Sequence, residues 1–195
     1  MKRLLLVLTV VLGTVLNAGA VDWNEVKLQY ADAFEYCQKL GVEPAVVVAV
    51  ARLEALPSSL YPLGYPYVIR VNRKRVRIVG GGVRKLYDGV YDCRDEKTCI
   101  LLARELVKHR VYNFDMGVFQ LNYYYQHKRF KNLIERAFDT KEAMKIACQI
   151  IKRNFEIMGK NANAVALYHS PNPERNTRYA FKFWREYKQI RRVLK

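Results

Sequence analysis

Glu54 stands out among the residues able to do chemistry. It is the only acid in the run Ala45-Val-Val-Val-Ala-Val-Ala-Arg-Leu-Glu-Ala-Leu56, and it falls in the last turn of that run. The run reads as a helix that is apolar on nearly every side, and such helices belong in a core. Burying an ionised carboxylate without a partner is costly. Desolvation favours the neutral acid, so a Glu in this position suits the proton donor of a glycosidase. The alternative is a structural Glu, paired with Arg52 or with a lysine of the outer helix face.

Two further segments carry candidate side chains. In Asn113-Phe-Asp-Met-Gly-Val-Phe-Gln-Leu-Asn122, Asp115 is suited to cap a helix start and Gly117 permits close backbone approach. The amides of Gln120 and Asn122 can bond the acetamido and hydroxyl groups of a sugar. Tyr123-Tyr-Tyr125 adds flat rings on which sugar faces can lie, although a capped turn before a helix would use the same residues. In Ala164-Val-Ala-Leu-Tyr-His-Ser170, Tyr168 can offer its hydroxyl to a carboxylate.

These residues need elements to hold them. Residues 23–39 show helical spacing of Val26, Tyr30, Phe34 and Cys37. Gly41 ends that pattern, Pro44 opens the Glu54 helix and Pro57 stops it. Tyr67-Val-Ile-Arg-Val71 and Val76-Arg-Ile-Val79 are β-branched runs that predict a hairpin across Asn72-Arg-Lys-Arg75. Arg70, Arg73, Lys74, Arg75 and Arg77 make it the most basic stretch, and Gly80-Gly81-Gly82 serves as a flexible exit. Helical patterns resume over 97–109, from Lys131, over 141–155 and 163–168, and in a basic amphipathic helix over 175–194. The aromatic stripe of that helix, Tyr179, Phe183, Trp184 and Tyr187, is expected to pack in the core. The predicted class is α+β, predominantly helical, with one small β-hairpin.

The N-terminus has the layout of a secretory leader. Lys2-Arg3 precedes the apolar run Leu4 to Leu16, and Ala18-Gly19-Ala20 is a small-x-small cleavage site. The apolar run is shorter than the roughly 20 residues that span a bilayer, so cleavage rather than anchoring is expected. Residues 21–195 then form one exported, soluble domain. The formal charge of +16 falls to +14 without Lys2 and Arg3, a balance that suits an acidic polymer as well as plain solubility. An exported chain rarely meets nucleic acid. The four cysteines predict disulfides rather than metal, since no CxxC occurs and His109, His127 and His169 are scattered. Of the three pairings, Cys93–Cys99 as a local staple and Cys37–Cys148 as a long-range tie are favoured.

The three candidate segments together resemble one family. Ala49-Val-Ala-Arg-Leu-Glu-Ala55 is similar to the helix that ends in the Glu-Ser motif of soluble lytic transglycosylases, relatives of goose-type lysozyme. Asp115-Met-Gly-Val-Phe-Gln-Leu-Asn122 resembles their Asp-x-Gly-Leu-Met-Gln-Ile-Asn signature, and Ala166-Leu-Tyr-His-Ser-Pro-Asn172 their Ala-Tyr-Asn motif. His-Ser-Pro, with Tyr65-Pro-Tyr67 and a basic hairpin after the catalytic helix, is similar to one subgroup. The resemblance covers roughly Val26 to Tyr187. It implies a lysozyme-like fold that cleaves peptidoglycan glycan strands in the periplasm, as a monomer and without metal or cofactor. Glu54 would protonate the glycosidic oxygen, then deprotonate the muramyl 6-hydroxyl as it closes a 1,6-anhydro ring. The resemblance further implies that Tyr168 hydrogen-bonds Glu54 and that Gln120 contacts substrate. Phe119, Asn122, Tyr123 and His169 complete the candidate substrate-binding set. Ala55, Val118-Phe119 and His169 depart from the usual Ser, Leu-Met and Asn. Alternatives are a lysozyme-type hydrolase with Asp115 as base, and a non-catalytic murein-binding subunit of a secretion or conjugation machine.

Overall fold

The computed structural model describes residues 21–55, 57–72, 82–87 and 89–195. The leader, the second hairpin arm 76–79, the cations Arg73, Lys74, Arg75 and Arg77, and Gly80 and Gly81 lie outside the described residues.

Among the described residues the chain is mainly helical with one antiparallel sheet, as the sequence predicts. The pattern over 23–39 forms two helices, α1 (Trp23–Gln29) and α2 (Ala31–Lys39), broken at Tyr30 with φ −111° and ψ 16°. Asp22 caps α1 by accepting the amides of Asn24 and Glu25. Helix α3 (Pro44–Glu54) starts on the expected proline and buries every residue from Ala45 to Ala51. It ends at Glu54, because Ala55 is extended with φ −125° and ψ 163°.

The first arm of the predicted hairpin is part of a larger sheet. Strand β1 (Val68–Val71) is present, but its described neighbours are β3 (Val90–Asp92) and β4 (Phe114–Met116). With β2 (Arg84–Tyr87) and β5 (Leu121–Asn122) the order is β2-β3-β1-β4-β5, all antiparallel. Strands of two to four residues carry too little alternation to announce themselves in sequence. The register sets Arg70 opposite Asp115, and Asp115 opposite Asn122. Asp115 is therefore a mid-strand residue and caps no helix.

Helix α4 (Glu96–Lys108) is capped by Asp95, whose carboxylate accepts the Thr98 amide at 2.8 Å. Asn122 caps the short α5 (Tyr123–Gln126). The helix expected from Lys131 is replaced by a 3-10 turn over Ile134–Ala137, since Lys131 and Asn132 adopt φ of 53° and 61°, which no right-handed helix accommodates. Helices α6 (Thr140–Met158), α7 (Ala162–Ala166) and α8 (Pro173–Val193) follow. Helix α3 packs mainly against α8, which also carries α7, while α6 joins α2. The disulfide Cys37–Cys148 bolts α2 to α6, and Cys93–Cys99 closes the start of α4. Both are the favoured pairings.

Candidate active site

The core helix delivers Glu54 to the sheet. Its side chain is 6 % exposed and stands at the C-terminal end of α3. Helix carbonyl ends carry partial negative charge, so a carboxylate in this turn does nothing for helix stability. Neither partner of the structural alternative holds it. Arg52 is committed elsewhere: Nε meets Glu186 Oε1 at 2.5 Å and Nη1 donates to the Pro62 carbonyl at 2.6 Å. His169 meets Glu54, Nδ1 to Oε1 at 3.2 Å. Imidazole is only conditionally charged, so this contact is no fixed ion pair. The His169 ring is stacked on Tyr179 at 4.6 Å and 11° between planes.

Tyr179 is a site residue that the sequence did not reveal, because it reads as one more member of the core stripe on α8. Burial first, then the Glu54 charge, raise its pKa well above the ordinary phenol value. Its hydroxyl is buried next to that carboxylate yet completes no hydrogen bond of good geometry. Only the pairing of α8 with α3 brings Tyr179 to Glu54, and no local signal encodes it.

Tyr168 has a different job from the one the resemblance implies. Its hydroxyl donates to the Phe119 carbonyl at 2.7 Å, tying α7 to the turn between β4 and β5. Burial, with the charges of Glu54 and Asp115, raises its pKa strongly, so Tyr168 lies in the same electrostatic neighbourhood without bonding the acid. Phe119 is fully buried and acts by packing rather than by touching a ligand.

The β4–β5 turn presents Gln120. Its backbone has φ 45°, an uncommon conformation for a residue with a side chain. Gln120 Nε2 donates back to the Gly117 carbonyl at 2.8 Å, which leaves Oε1 buried with no partner among the described residues. Gln120 lines the same recess as Glu54. Gly117 makes the turn possible: its φ is 66°, and a Cβ there would stand 2.2 Å from the Ala137 carbonyl oxygen.

The recess is small, about 20 Å³, and is lined by Glu54, Ala55, Gln120, Tyr65, Arg70 and the Leu86–Tyr87 stretch. Ala55 stands where the resembled family has Ser. A Cβ on Gly64 would approach the Ala55 Cβ to 2.6 Å, so this corner is closed by apolar contact.

A second layer lies behind on the sheet. Asp115 accepts from Asn72 Nδ2 at 2.9 Å and from Asn122 Nδ2 at 2.7 Å. Burial raises its pKa; the amides of Asn72 and Asn122 and the charge of Arg70 oppose the shift, while Glu54 adds to it. Asn122 also donates to Asn113 and accepts the Tyr125 amide, so its polar atoms serve this network. Tyr123 is stacked on Phe114 at 5.2 Å and 7°, and carries Tyr112 and His127 beside it. Tyr124 and Tyr125 are the exposed rings of that trio.

The structure thus gathers Glu54, Gln120, Tyr168 and His169 from the sequence candidates and adds Tyr179, Tyr65, Arg70 and Tyr87. Phe119, Asn122 and Tyr123 support the site from behind. Among the described residues no cluster of three or more His, Cys, Asp or Glu is arranged to hold a metal ion. Compared with known proteins, the chain matches no family model, no curated protein and no solved structure.

Proposed function

We propose that this protein cleaves the glycan strands of peptidoglycan as a lytic transglycosylase, with Glu54 as its single acid and base. The observation that carries the reading is the state of that carboxyl group. It is nearly enclosed, has no arginine or lysine partner among the described residues, and lines a recess together with the Gln120 amide. A group so placed can hold a proton, hand it to a glycosidic oxygen, and recover one from a sugar hydroxyl. Gln120 and Arg70 line the recess, where an amide suits the acetamido group of the sugar and a guanidinium a substrate carboxylate.

One carboxyl group is enough when the substrate's own 6-hydroxyl is the nucleophile. An inverting or retaining hydrolase needs a second carboxylate at the bond. Asp115 is the candidate for that role, but each of its oxygens already accepts an amide hydrogen, from Asn72 and Asn122. This favours the anhydro product over the hydrolytic one. Two disulfides suit an oxidising compartment, and in this reading the chain is exported to the periplasm, where it serves general wall turnover or local gap-making for a secretion or conjugation machine.

The test is muropeptide release from purified sacculi. Glu54→Gln should lower the rate by about 10²–10⁴, the usual contribution of general acid–base catalysis, while its melting curve stays cooperative. Products of the wild type should be lighter by one water than hydrolytic muropeptides. Equal release by Glu54→Gln would sink the reading, and hydrolytic products would transfer it to the lysozyme-type reaction.

A further inference from the structure

The outward face of α8 carries a pattern that neither the core nor the recess uses. Arg178, Lys182, Arg185 and Arg192 are exposed and recur at spacings of four, three and seven, which places them on one side of a helix. Tyr179, Phe183, Tyr187 and Ile190 of the same helix are buried. The two ion pairs that α8 makes among the described residues, Arg52–Glu186 and Arg191–Glu43, involve none of these four cations. Like charges a turn apart repel one another and weaken a helix. Their concentration here is a cost to the isolated protein that an external anion would remove.

Phe181 stands among these cations and is 72 % exposed. Trp184 borders them at 51 %, with Lys188 Nζ at 5.8 Å from its ring centre. Cations flanking a phenylalanine and an indole are the composition of a helix that lies in a lipid headgroup layer: the charges meet phosphates and the rings reach the acyl boundary. The face is the convex outer side of one helix. The hollow that borders the helix, lined by Phe183, Trp184 and Tyr187, includes neither Phe181 nor any of the four cations, and Gln189 is the exposed amide of α8 nearest to them.

We infer that the outer face of α8 docks this protein on the surface of an anionic phospholipid bilayer, with Arg178, Lys182, Arg185 and Arg192 on headgroup phosphates and Phe181 at the acyl boundary. The contact is peripheral, since no helix among the described residues is long and apolar enough to cross a membrane. The inference stands independently of the proposed reaction.

Co-sedimentation of the purified protein with vesicles tests it. Vesicles of phosphatidylglycerol and phosphatidylethanolamine should bind, and pure phosphatidylcholine should not. Each Lys or Arg near an anionic surface is worth about fivefold in binding, so Lys182→Glu with Arg185→Glu should weaken it at least about 25-fold. Added salt should do the same. Phe181→Ser should weaken it about tenfold without changing the salt dependence. These side chains are exposed, so circular-dichroism melts of the variants should match the wild type. Absence of vesicle binding, equal binding to phosphatidylcholine, or full binding by the double variant overturns the inference. So does a loss in the variants that is confined to sacculi or single-stranded nucleic acid.

Discussion

Replacing Tyr179 by phenylalanine should make the protein more stable and less active. The substitution removes one oxygen and leaves the ring, so the stack on His169 at 4.6 Å survives. A buried hydroxyl without a good partner costs about 1–3 kcal/mol. Tyr179 Oη is such a group, and it is buried beside Glu54. Its removal should raise stability by about 1 kcal/mol, which is about 2–4 °C in Tm for a domain of this size. The opposite sign is expected for catalysis. Once Glu54 has given up its proton, the phenol can donate to the resulting carboxylate, and a hydrogen bond to a charged group contributes about 1.5–3 kcal/mol. A bond made after proton transfer and not before it accelerates the reaction. Muropeptide release should therefore fall about 10- to 100-fold. Calorimetry and the sacculus assay on one preparation read both quantities. A Tyr179→Phe protein that melts earlier would show that the hydroxyl is already satisfied in the resting fold. Unchanged release would remove Tyr179 from the reaction.

The two disulfides should differ in worth. Cys37–Cys148 joins residues 111 apart and Cys93–Cys99 residues 6 apart, so chain entropy predicts losses of about 5 and about 2 kcal/mol on replacing each pair by alanine; urea unfolding that ranks them the other way would contradict this. Gly117→Ala should cost about 3 kcal/mol and reduce activity, because the new methyl would meet the Ala137 carbonyl at 2.2 Å on a backbone with φ 66°; a neutral effect in denaturation would mean that the turn yields easily. Burial raises the Asp115 pKa, so the folded protein keeps a proton that the unfolded chain releases. The associated stability is complete below the ordinary carboxyl value near about 4 and is lost as pH climbs through the folded value. Asp115→Asn should consequently gain on the wild type as pH rises above about 4, and a difference in unfolding midpoint that stays constant with pH would exclude the effect.

Glu54 was legible because a lone acid in an apolar helix conflicts with simple burial, and conflicts of that kind mark functional positions. Helices α3, α4, α6 and α8 were legible too, each with a proline or an Asx residue at its start. The tyrosines were not. Tyr168 and Tyr179 both lie in apolar periodic stretches, and nothing local says which hydroxyl meets the acid; the packing of α8 on α3 decides it. Asp115 resembles a cap in sequence because Asx residues before a turn usually are caps, but pairing with Arg70 and Asn122 claims it for the sheet. Tyr30 carried the right spacing for one long helix, and the break there has no sequence mark such as glycine or proline.

The burial of α3 has a mechanical consequence. Protein encloses the helix from Ala45 to Ala51, so the acid is mounted on a clamped rod. The lining of the recess also includes Leu86 and Tyr87 on β2, which among the described residues pairs with β3. The lining therefore joins one element clamped in the core to one on the outermost described strand. Under the proposed reaction, changes on β2 would alter which molecules fit and leave the carboxyl group in place, whereas a change within α3 would disturb both.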